Sequence, residues 1–421
     1  MGGACLQAGD RRSAARRCGQ YPGPPPSEEG RYHAKSLQAR FSLISLGLYY
    51  PLFPTPAGLN PAVKLKAAPP QRQRQNGYLM TNLPQGLPPV DSRFFPGSFG
   101  PRERERRQLR RSATAIAFVL LGYLALSFLL PLLFYWVASW FLPGPGVAGG
   151  LVWAVNLMNE LIYLVTYVCA LALPFWLYTR WVGIPRRKAL PFRPVPVGLM
   201  LPAVLLGLGA TSLGNFISAG LGSVFALAGF VPVVAQPGLT GSPAADLVVL
   251  ISATLAAATV EEFAFRGVLL QSLRRYGDGF AVLASAVVFA LCHASFLQLG
   301  PALLSGLVMG YFAVVTGSLW VGFVTHLVYN SVAMAAGELI PQLPVHLQNT
   351  ANLAVSAAML VVGLAAAVYL ALRYEKAFSL KAAATLLGAR AKWLAVFSSV
   401  PFTSTVLVLL LLVARSFVPI T

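Results

Sequence analysis

The chain has 421 residues, of which 56% are hydrophobic and only 11% charged. That balance excludes a soluble globule and points to an all-α polytopic membrane bundle. The net charge is +19, but the basic residues are scattered among prolines or lie beside apolar runs. This pattern excludes nucleic acid as a partner and points to the head groups of the lipid bilayer.

Residues 1–112 form a separate regime. They carry 18 Lys/Arg against 6 Asp/Glu, while the remaining 309 residues carry 14 against 7. Stretches such as "YPGPPPSEEG" and "AAPPQRQRQNG" bury no core, so 1–112 reads as a disordered or peripheral basic tail. "FSLISLGLYYPLF" (Phe41–Phe53) is apolar, but its 13 residues are too few to cross a bilayer. Composition alone makes Met80 an alternative start.

From residue 113 to 421 apolar runs alternate with short polar breaks, which predicts a transmembrane bundle. Nine spans are expected, at about 113–142, 151–179, 197–235, 246–273, 280–296, 301–317, 320–337, 351–372 and 393–414. The third run is long and holds Gly207, Gly209, Gly214, Gly220 and Gly222. It is expected to be tilted, broken or partly re-entrant. With the N-terminus inside, "RERERRQLRR", "RWVGIPRRK", Arg274, Arg275 and the five basic residues of 373–392 all fall on the cytoplasmic side. The loops 143–150, 236–245, 297–300 and 338–350 hold no Lys or Arg and fall outside. Lys/Arg bias therefore predicts an N-in, C-out chain.

The chemistry sits where ionisable groups interrupt these runs. Glu261 and Glu262 stand side by side with Arg266 one turn on, although each such group costs about 2.5–3.5 kcal/mol at a helix centre. Glu261 lies 13 residues before Arg274, and His293 lies 13 residues after Phe280. At 1.5 Å per residue both are about 20 Å from the same end of adjacent antiparallel helices. Asn330 lies about 15 Å into the span that opens near Trp320, and His326 is on the same face at i−4. An acid, two imidazoles and an amide thus converge on one level. A desolvated carboxylate is a general base for water, imidazoles orient water, shuttle protons or bind metal, and an amide N–H stabilises an oxyanion. Glu261 and Glu262 point about 100° apart on a helix. Glu261 is expected to face the reaction, and Glu262 to be held by Arg266 or to join the site from its edge.

"EEFAFR" (Glu261–Arg266), "FALCH" (Phe289–His293) and "HLVYN" (His326–Asn330) follow the patterns EExxxR, FxxxH and HxxxN, in order, on the fourth, fifth and seventh expected spans. The chain in this respect resembles the CPBP family of intramembrane proteases. That family includes type II CAAX prenyl endopeptidases and bacterial bacteriocin-processing or immunity members. The likeness is detailed over about 195–337 and extends by hydrophobic architecture to 113–372, with a catalytic core at about 195–372. The resemblance implies hydrolysis of a peptide bond in a membrane-presented, optionally lipidated, peptide or protein. It implies Glu261 as general base, His293 as its partner in activating water, and His326 with Asn330 at the oxyanion. Glu262 and Arg266 would hold the geometry. Both a metal-free glutamate mechanism and a zinc mechanism are proposed for the family; here His293, His326 and Glu261 are of the right type for zinc, without an HExxH.

Other constellations are weaker. Asp278 in "YGDGF" reads as a turn residue, with no second Asp in a span. Ser305 reads as a small packing residue and Cys292 as an inert buried thiol. Cys5, Cys18, Cys169 and Cys292 form no CxxC. Asn156 and Glu160, at i, i+4 in the second span, are expected to line a cavity or share a proton. The rival class is a non-proteolytic membrane protein: a toxin-immunity scaffold, or a transporter moving protons through Glu160, Glu261 and Glu262.

Overall fold

The computed structural model describes residues 99–140, 152–234, 238–374, 380 and 385–420. The expectations for Phe41–Phe53, Met80 and most of the tail lie outside these residues.

Ten helices carry the described chain. The first, α1 (Pro101–Ala138), starts inside the segment grouped with the tail by composition. Pro101 suits the first helical position, where no N–H is needed, and Glu103 complements the positive helix end. Residues 101–112 are therefore the first three turns of α1, with Leu109 and Ser112 buried. Then come α2 (Val152–Val182), α3 (Val197–Leu227) and α4 (Pro243–Tyr276). They are followed by α5 (Asp278–Cys292), α6 (Phe296–Thr316), α7 (Trp320–Leu339) and α8 (Val345–Tyr374). Last are α9 (Ala389–Phe397) and α10 (Val400–Ala414). Two three-residue strands, Phe230–Pro232 and Phe417–Pro419, pair antiparallel.

Each predicted apolar run contains a helix among its described residues, but not all are spans by length and apolarity. Six helices meet that standard among the described residues: α1, α2, α3, α4, α6 and α8. The pair α9 and α10, bent by 84°, makes a seventh if read as one broken span. The other two predicted spans are α5, only 15 residues long, and α7, which carries Thr325, His326 and Asn330. These are the helices that the chemistry interrupts. The protein is an integral, multi-pass membrane protein.

The passes alternate between two ends. At one end Arg275 donates to Ser112 Oγ (2.7 Å), and Glu105 Oε2 accepts from the Leu386 backbone N–H (2.8 Å). At the other, Glu338 Oε1 accepts from the Leu239 N–H (3.0 Å) and the two strands meet. The turn after α5 departs from expectation. Residues 297–300, read as an outside loop, are helical, and the reversal falls at 293–295 instead.

In the third run no break is found: Val197–Leu227 is one continuous helix of 31 residues, which ends before the run does. Lipid is as apolar as leucine, so close van der Waals contact replaces the hydrophobic effect between membrane helices, and small residues permit it. A Cβ on Gly209 would lie 2.6 Å from the Gly363 Cα on α8, and one on Gly214 would collide with the Gly300–Pro301 backbone of α6. The glycines bring α3 against its two neighbours instead of breaking it. Gly363→Val is expected to force α8 from α3 and cost about 1–3 kcal/mol, read as a lower thermal midpoint in detergent. Gly220→Ala, with nothing within 4 Å, should leave that midpoint unchanged.

Candidate active site

The site is built on α4, which is not a uniform α-helix. Its segments Ser252–Ala256 and Glu262–Leu269 are π-helical, with Ala257–Glu261 α-helical between them. Widening the ladder to i→i+5 removes the usual donor from a backbone carbonyl. Each π segment has a carbonyl that receives a side chain from a neighbouring helix. Asn330 Nδ2 on α7 donates to Ala253 O, and Ser285 Oγ on α5 donates to Phe265 O, both at 2.8 Å. The two π segments therefore frame Glu261 and stitch α4 to α7 and α5.

Arg266 and Glu262 form an ion pair within this frame. Arg266 Nη1 donates to Glu262 Oε1 at 2.6 Å, and both side chains are essentially fully buried. The guanidinium lies 4.0 Å over the Phe289 ring, a cation–π contact. Two glycines make room for the pair. A Cβ on Gly322 of α7 would fall on Glu262 Oε2, and one on Gly306 of α6 would lie 3.3 Å from Arg266 Nη2.

Glu261 points elsewhere, as expected from its helical offset. Its Oε1 accepts a short hydrogen bond from Tyr167 Oη on α2. Its Oε2 is buried, without a hydrogen-bond partner, and 3.7 Å from His326 Nε2. The same imidazole places Nδ1 3.7 Å from Glu262 Oε1. At that distance neither contact is a direct hydrogen bond. His326 stands between the two carboxylates.

His293 caps α5. Its Nδ1 lies 2.8 Å from Phe289 O; a carbonyl only accepts, so Nδ1 carries the proton. The Nε2 of the neutral ring is left as an acceptor. Phe289 packs edge-on against both His293 and His326, with ring centroids 4.6 and 6.2 Å apart. The next residue, Ala294, has φ 48°, the single positive φ of a non-glycine among the described residues. Fifteen residues of α5 rise about 22 Å, less than the roughly 30 Å hydrocarbon thickness. The reversal at 293–295 thus lies at membrane depth, where irregular backbone is tolerated if it lines a cavity.

Such a cavity is present. It has a volume of about 400 Å³, and His293, His326, Asn330 and Gln298 are among its lining residues. Neither glutamate lines it; both carboxylates approach it through His326. All six residues singled out by motif are buried. Asn330 has one N–H committed to Ala253 O, and its Oδ1 is unpartnered.

The remaining expectations divide. Asp278 opens α5 and receives Arg274 Nε at 2.7 Å, a turn clamp as expected. Ser305 lines the cavity and donates weakly to Ala302 O (3.4 Å). Glu160 is buried on α2 and is not among the cavity-lining residues. The cavity role expected for it passes to no group of that helix. Instead α2 reaches the site through Tyr167, which sequence reasoning missed. Its signal was available: Tyr167 stands seven residues after Glu160, two turns along one helix face. Gly322, four residues before His326, was missed too. Among the described residues, no three His, Cys, Asp or Glu side chains form a group able to hold a metal ion.

In this membrane bundle two imidazoles and an amide line an internal cavity, with two buried carboxylates behind one of the imidazoles. The chain's residues 243–332 match the family described as Rce1-like, type II CAAX prenyl endopeptidase. The matched segment contains EEFAFR, FALCH and HLVYN and so bears out the resemblance read from them. No curated protein and no solved structure matches the chain.

The ion pair yields a prediction. Arg266→Met leaves Glu262 buried and uncompensated and should cost about 3–5 kcal/mol. Combining it with Glu262→Gln should recover part of that loss, read as thermal midpoints of the purified variants.

Proposed function

We propose that the protein is an intramembrane endopeptidase that hydrolyses a peptide bond in a peptide or protein segment presented at the membrane, with a CAAX-type tail as the favoured substrate. One observation carries this reading: the buried, unpartnered Glu261 Oε2 stands 3.7 Å from the cavity-lining His326. A water held at about 2.8 Å on Oε2 stands beside that imidazole, whose N–H is not committed to a direct bond with the carboxylate. Glu261 then takes a proton from the water as its oxygen bonds to the scissile carbonyl carbon. The Tyr167 hydrogen bond fixes the carboxylate, leaving Oε2 for that proton. The His293 Nε2 lone pair accepts the water's other hydrogen and aims the oxygen.

The carbonyl oxygen gains charge as the C–O bond forms. His326 and the second N–H of Asn330 are the donors next to the cavity that stabilise it. Collapse breaks the C–N bond, and the proton held by Glu261 passes to the leaving nitrogen. Glu262 and Arg266 take no part in proton transfer; they hold α4 at the rotation that presents Glu261.

The family match supports a membrane-held peptide or protein as substrate. The test uses purified protein in lipid vesicles with a farnesylated CAAX peptide. Glu261→Gln and His293→Ala should each reduce cleavage by about 10²–10⁴-fold at unchanged abundance. Cleavage that survives Glu261→Gln would end the proposal, as would uptake or toxin protection that is retained in both variants while cleavage is absent from the parent. Dialysis against a chelator, with elemental analysis of the active protein, addresses the metal. Activity should persist without stoichiometric zinc. Zinc whose removal abolishes cleavage, and whose return restores it, would overturn the glutamate mechanism.

A further inference from the structure

The wall of the cavity holds a carboxamide that the reaction leaves unused. Gln298, on the first turn of α6, is only 5% exposed. Neither its Nε2 nor its Oε1 has a hydrogen-bond partner, yet the side chain lines the cavity with His293, His326 and Asn330. A buried carboxamide without partners is costly, since each unsatisfied polar atom forfeits its hydration. Thr325 Oγ1, also buried and unpartnered, lines the same cavity.

We propose that Gln298 binds the substrate backbone: its carboxamide pairs with the N–H and C=O of one extended residue of the bound chain near the reacting bond. This rests on the reading of the cavity as a peptide site. A primary carboxamide offers one acceptor and two donors side by side. An anion would satisfy only its N–H side, a cation only its oxygen, and a hydrocarbon chain neither. An extended residue of a bound chain turns its own N–H and C=O to the same side and satisfies both. The pairing also gives orientation. Ala294, in the left-handed region, reverses the chain within three residues, and Gln298 N–H bonds Ser295 O at 3.2 Å. Five residues after His293, Gln298 is thus tied by short, defined backbone to the imidazole that aims the water. A substrate held at Gln298 is registered against His293 without any side-chain contact, so the residue positions the backbone whatever the substrate's sequence.

The test uses the full-length protein in lipid nanodiscs and a fluorescent farnesylated CAAX peptide. A companion set has each backbone amide near the cleavage point replaced in turn by an ester. Binding is measured by anisotropy on a Glu261→Ala background, so that no cleavage intervenes. Gln298→Leu should weaken binding about 5- to 100-fold, the range for one or two hydrogen bonds to a buried partner. One ester position should weaken binding with Gln298 present and have no effect in Gln298→Leu. With Glu261 present, KM should rise much more than kcat falls. Gln298→Met serves as a second variant, and the thermal midpoint of each should match the parent. Equal binding with and without the carboxamide overturns the assignment. So does an ester effect that is the same in both proteins, which would mean the carboxamide binds only water, and so does a parent that binds none of the peptides. Binding that depends on Gln298 in a protein that never cleaves would remove the peptidase reading and leave this one standing.

Discussion

The Glu262–Arg266 pair is the constraint on which the site depends. Two opposite charges sit in a space without water, 2.6 Å apart. Their mutual attraction offsets a desolvation cost that neither could bear alone. Such a pair contributes little net stability, but it has few acceptable arrangements. Glu262 must lie over Gly322, Arg266 must pass Gly306, and the guanidinium must cover Phe289. The pair therefore sets the rotation of α4 against α5, α6 and α7 together. Glu261 is the next residue, so its direction is settled by the same contacts. The unpartnered Glu261 Oε2 is aimed by a neighbour that performs no chemistry in the proposed reaction.

The π segments of α4 make that rotation compatible with the rest of the fold. A regular α-helix through 252–269 would keep its carbonyls bonded to itself. Here Asn330 and Ser285 reach Ala253 O and Phe265 O, so the irregular turns become contacts between helices. The same economy of space appears on α3. Its glycines admit α6 and α8 to backbone distance, and the cavity forms on the α6, α7 and α8 side of this tight packing.

Much of this was legible in the chain. Each of the nine apolar runs contains a helix among its described residues, and depth arithmetic from Arg274, Phe280 and Trp320 anticipated that motif residues on α4, α5 and α7 would converge. Arithmetic works there because helical rise is nearly constant. The i, i+4 relation of Glu262 to Arg266 is also a local geometric rule, and it holds. What stayed hidden depends on non-local contact. Residues in a π turn have no distinctive composition, so the change of ladder at Ser252 and Glu262 left no trace. Gly207, Gly209 and Gly214 suggested a weak helix because glycine is flexible alone. Only the opposing Thr325, Gly363 and Gly300 reveal that they are contact points. Tyr167 was overlooked because a tyrosine in a membrane helix carries no charge to draw notice, whereas Glu160 on the same face does. Asn330 was assigned a single task from its amide, yet one of its hydrogens is spent on holding α7 to α4.

The reversal at Ala294 also fixes the spacing between two parts of the molecule. The helix that bears Gln298 begins two residues after Ala294. Each residue inserted or deleted there would swing that side chain about 100° around its axis, carrying it from the cavity into packing or lipid. The length of this connector is thus as constrained as the chemistry of the residues at its ends. A pattern that stops at FxxxH describes half of a longer unit, FxxxHxxxxQ, whose final letter has meaning only at that count.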